Sequence, residues 1–99
     1  MHNKQKTALI TGASLGIGRE LAKLFAKDGY ALVLVARNGP RLSEFAEELQ
    51  RQFGIAAKPI PLDLTSHAAL QFLFDQLAQE GIHVDVLVNN AGYGKFGAC

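Results

Sequence analysis

The sequence predicts one α/β domain built on a doubly wound parallel sheet. Short apolar runs alternate with longer segments of helical periodicity, in the order β-α-β-α-β-α-β. Alternating strands and helices form parallel sheets with right-handed crossovers, and the first half of a doubly wound sheet has strand order 3-2-1-4. We therefore expect helices one and two on one face of the sheet and helix three on the other.

Four short apolar runs are predicted to be strands: Thr7–Thr11, Ala31–Ala36, Lys58–Leu62 and Val84–Asn89. All six residues of the second run are apolar, as in a strand that is covered on both faces. Pro59 and Pro61 interrupt the third run and cannot donate to a sheet ladder. The third strand is therefore expected at an edge of the sheet.

Helical periodicity predicts three amphipathic helices, which end before Gly29, Gly54 and Gly81. The first begins at Gly16, Pro40 suits the first turn of the second, and Ser66 suits the N-cap of the third. The residues expected to face the core are Ile17, Leu21, Leu24 and Phe25 in the first helix, Leu42, Phe45, Ala46, Leu49 and Phe53 in the second, and Leu70, Leu73, Phe74 and Leu77 in the third.

Composition and charge argue against several classes of protein. The 99 residues are 48% hydrophobic and 19% charged, with a formal net charge of +1. This balance is typical of a folded domain, and so small a charge favours neither nucleic acid nor an acidic membrane as partner. No apolar run of about 18 residues is present to span a membrane, and the polar start differs from a signal peptide. Cys99 is the only cysteine, so we expect a cytoplasmic protein without an internal disulfide.

A glycine-rich segment, Thr-Gly-Ala-Ser-Leu-Gly-Ile-Gly at positions 11–18, joins the first strand to the first helix. Unpaired N–H groups and the dipole at a helix N-terminus favour a bound pyrophosphate. Gly12 permits a sharp turn, Gly16 a close approach of the backbone to a ligand, and Gly18 close packing of helix on strand. The predicted contacts are Gly12, Ser14, Leu15, Gly16, Ile17 and Gly18. The alternative is a tight turn that binds nothing, and a P-loop is excluded because no Lys-Ser or Lys-Thr follows the last glycine.

The residues after the second strand indicate which dinucleotide the site prefers. Sites of this architecture often place an acidic residue there to hold the adenosine ribose hydroxyls. This chain has Arg37-Asn38 instead, so no carboxylate repels a 2′-phosphate, and a guanidinium is available to pair with one. NADP is therefore favoured over NAD, the alternative being that Arg37 is only a solvated surface residue.

Three motifs together resemble the short-chain dehydrogenase/reductase family. Residues 11–18 are similar to its T-G-x-x-x-G-x-G signature, Asp63-Leu64 to its adenine-contacting pair, and Asn89-Asn90-Ala91-Gly92 to its N-N-A-G element. They occur in order, each at the end of a predicted strand, and the similarity extends from Lys6 to Gly97. The resemblance implies a Rossmann-like fold that binds a nicotinamide dinucleotide.

The resemblance also implies roles for the later motif residues. Asp63 would accept a hydrogen bond from the adenine amino group, and Leu64 would donate its backbone N–H. Asn89 and Asn90 would brace the central strands, while Ala91 and Gly92 would pass close to the ribose and nicotinamide. The alternatives are a helix cap for Asp63 and a plain turn for the two asparagines.

The family's reaction is hydride transfer between nicotinamide and a carbonyl or alcohol carbon of a small-molecule substrate. Its catalytic serine, tyrosine and lysine lie beyond the N-N-A-G element, and Tyr93-Gly94-Lys95 lacks the Y-x-x-x-K spacing. We therefore expect residues 1–99 to be a single NADP-binding domain, the truncated N-terminal part of a longer fold, without catalytic residues or metal ligands. The alternatives are a non-catalytic dinucleotide-binding or interaction module and a nucleotide-sensing regulator. An open apolar edge on the fourth strand, or the partly uncovered sheet face beside helix three, predicts self-association or else poor solubility.

Overall fold

The computed structural model describes residues 5–13, 16–64 and 67–89, which form a parallel sheet with three helices. In chain order the elements are β1 (Thr7–Thr11), α1 (Gly16–Lys27), β2 (Ala31–Ala36), α2 (Gly39–Phe53), β3 (Ala57–Pro61), α3 (His67–Gln79) and β4 (Val86–Val88). The four strands lie in the order β3-β2-β1-β4, which confirms the predicted topology. The N-cap predicted at Ser66 lies outside the described residues.

Strand β3 lies at an edge of the sheet, as its prolines predicted. Pro59 and Pro61 align with Leu34 and Ala36 of β2. The Ala36 carbonyl accepts a hydrogen bond from the Leu62 N–H at 2.9 Å, and only alternate residues of a strand bond to a given neighbour. Both proline nitrogens therefore point away from β2, where a missing N–H leaves no ladder bond unmade.

Each face of the sheet carries its own apolar core, which confirms the predicted division of the helices. Helices α1 and α2 cover the first face, whose buried residues include Ala8, Ile10, Leu32, Leu34, Leu42, Phe45, Ala46 and Leu49. Helix α3 covers the second face, with Leu9, Val33, Val35, Ile60, Leu64, Leu73 and Leu77 buried. Burial of one such large aliphatic or aromatic side chain contributes about 1.5–3 kcal/mol.

Helix α1 packs on the sheet through small residues, and the predicted burial of Ile17 and Leu24 was wrong, whereas Phe25 packs against the core as predicted. Gly18, Ala22 and Ala26 are buried at spacings of four residues, whereas the exposed fractions of Ile17 and Leu24 are 70% and 60%. The small residues let the helix lie close to β1 and β2. Large side chains at those positions would hold the helix away from the sheet.

Arg19 joins α1 to α2. Its guanidinium carbon lies 4.3 Å from the centre of the Phe45 ring, and its Nη2 atom lies 3.6 Å from Oε1 of Glu48. The cation–π contact places the charge over a buried ring, while the partly exposed ion pair adds little by itself. Together they keep the first turns of α1 beside α2.

Strand β4 is shorter than the predicted run of residues 84–89, and at its amino-terminal end the Asp85 side chain takes the place of a ladder bond. Asp85 Oδ2 accepts a hydrogen bond from the Thr7 N–H at 2.9 Å. The Asp85 N–H donates to the Thr7 carbonyl at 2.8 Å. These two bonds align Ala8 with Val86, which begins the pairing of β4 with β1.

Strand β4 and helix α3 carry large apolar side chains that are exposed. Within residues 5–13, 16–64 and 67–89, β4 pairs only with β1, and Leu87 is 57% exposed. On α3, the exposed fractions of Phe72 and Phe74 are 56% and 49%, so the predicted burial of Phe74 was wrong. None of the helices in the described ranges has the length and apolar character needed to cross a membrane.

Candidate functional site

The carboxyl ends of the parallel strands bring the predicted binding residues to one edge of the sheet. Thr11 aligns with Val35, Ala36 with Pro61, and Ile10 with Val88. The segments that begin at Gly12, Arg37, Leu62 and Asn89 therefore all leave the sheet at this edge. In open α/β sheets, ligands bind outside the carboxyl ends of the strands, where the order of connection reverses. Here that reversal occurs between β1 and β4.

The loop after β1 is anchored to the sheet at its base. Gly12 has a φ of 64°, a left-handed conformation that glycine adopts without steric cost. Ala13 is completely buried, and its N–H donates to the Val35 carbonyl at 3.3 Å. The Ala13 amide is thus used by the fold and is not available to a ligand. Ser14 and Leu15 lie outside the described residues.

The start of α1 offers open space and free helical amides. Gly16 has a φ of 54°, and a Cβ built on it would meet no heavy atom within 4 Å. Gly18 is buried against the sheet, while the Ile17 side chain is exposed. Because the first N–H groups of an α-helix have no intrahelical partner, this turn presents donors and a positive dipole end. The geometry suits an anionic group such as a diphosphate.

Arg37 and Asn38 form the corner between β2 and α2, and both are exposed. Asn38 is the N-cap of α2, since its Oδ1 accepts a hydrogen bond from the Arg41 N–H at 3.0 Å. Sequence reasoning grouped Asn38 with Arg37 and missed the cap, although an asparagine before Gly-Pro signals one. Among the described residues, the Arg37 guanidinium has no ion-pair partner.

Asp63 and Leu64 follow β3 at the same edge. Leu64 is buried in the core of the second face, whereas Asp63 is exposed. Since the Leu62 N–H donates to the Ala36 carbonyl, Asp63 lies just beyond the end of the β2–β3 ladder. Arg37 and Asp63 therefore follow the ends of two neighbouring strands, β2 and β3, at the same edge of the sheet.

A buried hydroxyl joins the ends of β1 and β4. Thr11 is 3% exposed, and its Oγ1 lies 3.2 Å from Asn89 Oδ1 and 3.4 Å from the Val88 carbonyl oxygen. The hydroxyl fixes the first residue of the asparagine motif against the base of the glycine loop. Thr11 was not among the predicted site residues, because its partner lies 78 positions away in the sequence. Asn90, Ala91 and Gly92 lie outside the described residues.

Glu80 carries a shifted pKa away from this edge. The pKa of Glu80 is lowered, first by its hydrogen bond with Lys58 and then by that with Gln76. Lys58 Nζ lies 3.0 Å from Glu80 Oε1. Lys58 stands near the start of β3 and Glu80 follows the end of α3, so the pair belongs to the amino-terminal edge. Within the described ranges, no group of three or more His, Cys, Asp or Glu residues could hold a metal ion.

Comparison with known proteins identifies a family. The sequence model described as short chain dehydrogenase matches residues 6–99. A probable NADP-dependent dehydrogenase from Dichelobacter nodosus is 43% identical over 84 residues, which cover 85% of this chain and 76% of that protein. The chain spans only 25–37% of the length of seven other curated relatives.

Solved structures agree with the sequence comparison. L-Sorbose reductase from Gluconobacter frateurii, in complex with NADPH and L-sorbose, superposes with a TM-score of 0.84 at 39% identity, covering 89% of this chain and 34% of that one. A short-chain dehydrogenase from Sphingobium yanoikuyae in complex with NADPH gives a TM-score of 0.80 at 44% identity, covering 88% of this chain and 34% of that one. The strand order, the loop at the carboxyl edge and these similarities together show that the chain belongs to the short-chain dehydrogenase family.

Proposed function

We propose that this chain is the NADP(H)-binding part of an oxidoreductase that transfers a hydride between nicotinamide and a carbonyl or alcohol substrate. The observation that carries the proposal is the opening of α1 at the carboxyl edge of the sheet. There, Gly16 leaves open space beside helical amides, and Gly18 keeps the helix close to the strands. The family and its NADPH-bound members support a dinucleotide as the ligand.

The residues of the edge fit the separate parts of such a ligand. The diphosphate would lie against the first turn of α1, held by the loop that includes Gly12, Ser14, Leu15, Gly16 and Ile17. Asp63 would accept from the adenine amino group, with the Leu64 N–H as a donor to the same ring. Asn89 and Asn90 would brace the central strands, with Asn89 held in place through Thr11, and Ala91 and Gly92 would pass close to the ribose and nicotinamide.

Arg37 would select NADP over NAD. Its guanidinium is exposed beyond the end of β2, and no acidic residue occupies the first turn of α2. A hydrogen bond between a guanidinium and a phosphate is charge-assisted and contributes about 1.5–3 kcal/mol. NADPH carries a 2′-phosphate and NADH does not, so this contact favours NADPH alone.

When bound, the nicotinamide ring supplies or accepts the hydride. The residues of this chain would bind and orient the dinucleotide and would take no part in proton transfer. In the family resemblance, the catalytic serine, tyrosine and lysine follow the N-N-A-G element, and we assign none of these roles to a residue of this chain. We therefore expect the 99-residue chain to bind NADPH without reducing a carbonyl compound.

The test is a calorimetric titration of the 99-residue chain with NADPH and with NADH. We expect tighter binding of NADPH, and a loss of roughly tenfold or more in NADPH affinity for Arg37→Gln, with NADH affinity little changed. Arg51→Gln is the matched control, because Arg51 is exposed at the opposite end of α2 and should leave both affinities unchanged. Failure to bind either dinucleotide would overturn the proposal, and tighter binding of NADH would overturn the role of Arg37.

A further inference from the structure

The first turn of α1 is tied to the neighbouring helix by the side chain of its fourth residue, Arg19. Gly16 and Gly18 carry no side chain, and the Ile17 side chain is 70% exposed. The Arg19 side chain is only one-third exposed, and its guanidinium carbon lies 4.3 Å from the centre of the Phe45 ring. Among the four residues of this turn, Arg19 therefore supplies the side-chain contact with α2.

Phe45 gives this contact a partner that is fixed in the core. Its ring is 1% exposed and is buried together with Leu42 and Leu49 of the same helix. A guanidinium over an aromatic face is attracted by the ring quadrupole, and the attraction is stronger where water is excluded. Glu48 Oε1 also approaches Arg19 Nη2, at 3.6 Å, but a partly exposed ion pair contributes little by itself. The ring contact is therefore the main link between the two helices at this point.

The same turn carries the backbone groups that face the proposed diphosphate. The first N–H groups of an α-helix have no partner inside the helix, so those of Gly16, Ile17 and Gly18 can donate to a ligand. Two glycines in one turn favour fraying, because glycine gains the most conformational freedom when a helix opens. A frayed turn does not hold its donors in one arrangement, and the apparent affinity for a ligand falls with the fraction of molecules in the competent conformation.

We propose that Arg19 is a positioning residue for the dinucleotide: through its contact with Phe45 it holds the diphosphate-binding amides of α1 in one arrangement. This inference rests on the proposed function. The diphosphate is common to NADPH and NADH, so Arg19 contributes equally to the binding of both. It differs in this respect from Arg37, whose proposed contact favours NADPH alone.

The experiment compares Arg19→Met with wild type in calorimetric titrations with NADPH and NADH, well below the thermal midpoint of either protein. Methionine keeps an unbranched side chain but removes the charge over the ring. We expect both affinities to fall by the same factor, roughly three- to tenfold, which is within the range of a partly desolvated cation–π contact. Arg51→Met removes the same charge at an exposed site in the last turn of α2, and should change neither affinity.

Hydrogen exchange measured by NMR separates positioning from a general loss of stability. In an α-helix, the amides of Glu20 and Leu21 bond to carbonyls of the first turn, so their protection reports on fraying of that turn. Arg19→Met should speed exchange at these two amides more than at the amides of the buried strand β2. A general loss of stability would instead speed exchange of all the slowest amides alike.

Glu48→Gln tests which partner of Arg19 matters. It keeps the guanidinium over the ring and should leave both affinities within about twofold of wild type. Unchanged affinities in Arg19→Met, unequal losses of NADPH and NADH, or equal acceleration at all slow amides would overturn the inference and leave the proposed function intact. An equally large loss in Glu48→Gln would also overturn it. If wild type bound neither dinucleotide, the proposed function would fail first and the inference with it.

Discussion

Replacing Gly16 by alanine separates the conformational cost of the glycine loop from its contact with a ligand. Gly16 has a φ of 54°, and an added Cβ would meet no heavy atom within 4 Å. Alanine in a left-handed conformation costs about 1–2 kcal/mol, and the reduced entropy of the unfolded chain returns about 0.4–1 kcal/mol of this. The net destabilisation should therefore be about 1 kcal/mol, because no steric clash is added.

Gly54 provides the matched control at the far end of α2. It also has a left-handed backbone, with a φ of 70° and no heavy atom within 4 Å of an added Cβ. Gly54→Ala should therefore cost the same free energy of unfolding as Gly16→Ala. In a domain of this size, about 1 kcal/mol lowers the thermal midpoint by roughly 4–8 °C.

The two variants should differ only in dinucleotide binding. In Gly16→Ala, the new methyl group occupies the space through which the backbone would approach the diphosphate. We expect its NADPH affinity to fall by roughly tenfold or more, while Gly54→Ala stays within about twofold of wild type. Calorimetric titration below the melting range of both variants measures this difference. Equal NADPH affinities for the two variants would refute the assignment of Gly16 to the ligand site.

Two further predictions concern regions away from the glycine loop. The hydrogen bond with Lys58 lowers the pKa of Glu80 below its ordinary value of 4.5. The interaction between Glu80 and Lys58 therefore stabilises the fold at pH values above 4.5, and this stabilisation is lost as the pH falls through the folded-state pKa of Glu80. Chemical denaturation should show Glu80→Gln less stable than wild type at pH 7, with the gap closing in acid; a constant gap would contradict the linkage. We also propose that the chain self-associates through the open edge of β4, so Leu87→Lys should shift sedimentation at micromolar concentration toward the monomer. A wild-type chain that sediments as a monomer throughout would exclude that edge as a contact.

The strand order followed from the sequence because the relevant signals are local. Alternating apolar runs and amphipathic segments left few right-handed topologies to consider. The prolines of β3 placed that strand at the edge, since a central strand needs N–H donors on both sides. For α2, the periodic positions Leu42, Phe45 and Leu49 are those that the structure buries. The hydrophobic pattern of α2 agrees with its packing because the face of this helix that contacts the sheet carries mostly large apolar side chains.

The orientation of α1 did not follow from hydrophobicity, because its contact with the sheet is made by small residues. Ile17 and Leu24 were expected in the core because they are large and apolar, and both are exposed to solvent. Large apolar side chains dominate a hydrophobic pattern, whereas glycine and alanine add little to it. The pattern therefore did not indicate that Gly18, Ala22 and Ala26 form the buried face. The GxxxA spacing of these three residues is the feature that indicates close helix packing.

The site was predictable as a set of positions but not as a set of bonds. The motifs placed Gly12, Arg37, Asp63 and Asn89 at the ends of strands, and the register brings those ends to one edge. The Thr11–Asn89 contact depends on side-chain rotamers and joins residues 78 positions apart. Sequence spacing alone carries no information on such distances.

The pairing of Thr7 with Asp85 has a consequence for the order in which the chain assembles during translation. The two residues are separated by 78 positions, which corresponds to roughly 4–16 s of synthesis at about 5–20 residues per second. Until Asp85 has left the ribosome, β1 can pair only with β2. The backbone N–H and C=O groups on its other side, which later pair with β4, have no partner strand. A nascent chain paused in the segment between α2 and β4 would therefore be the species most in need of a chaperone.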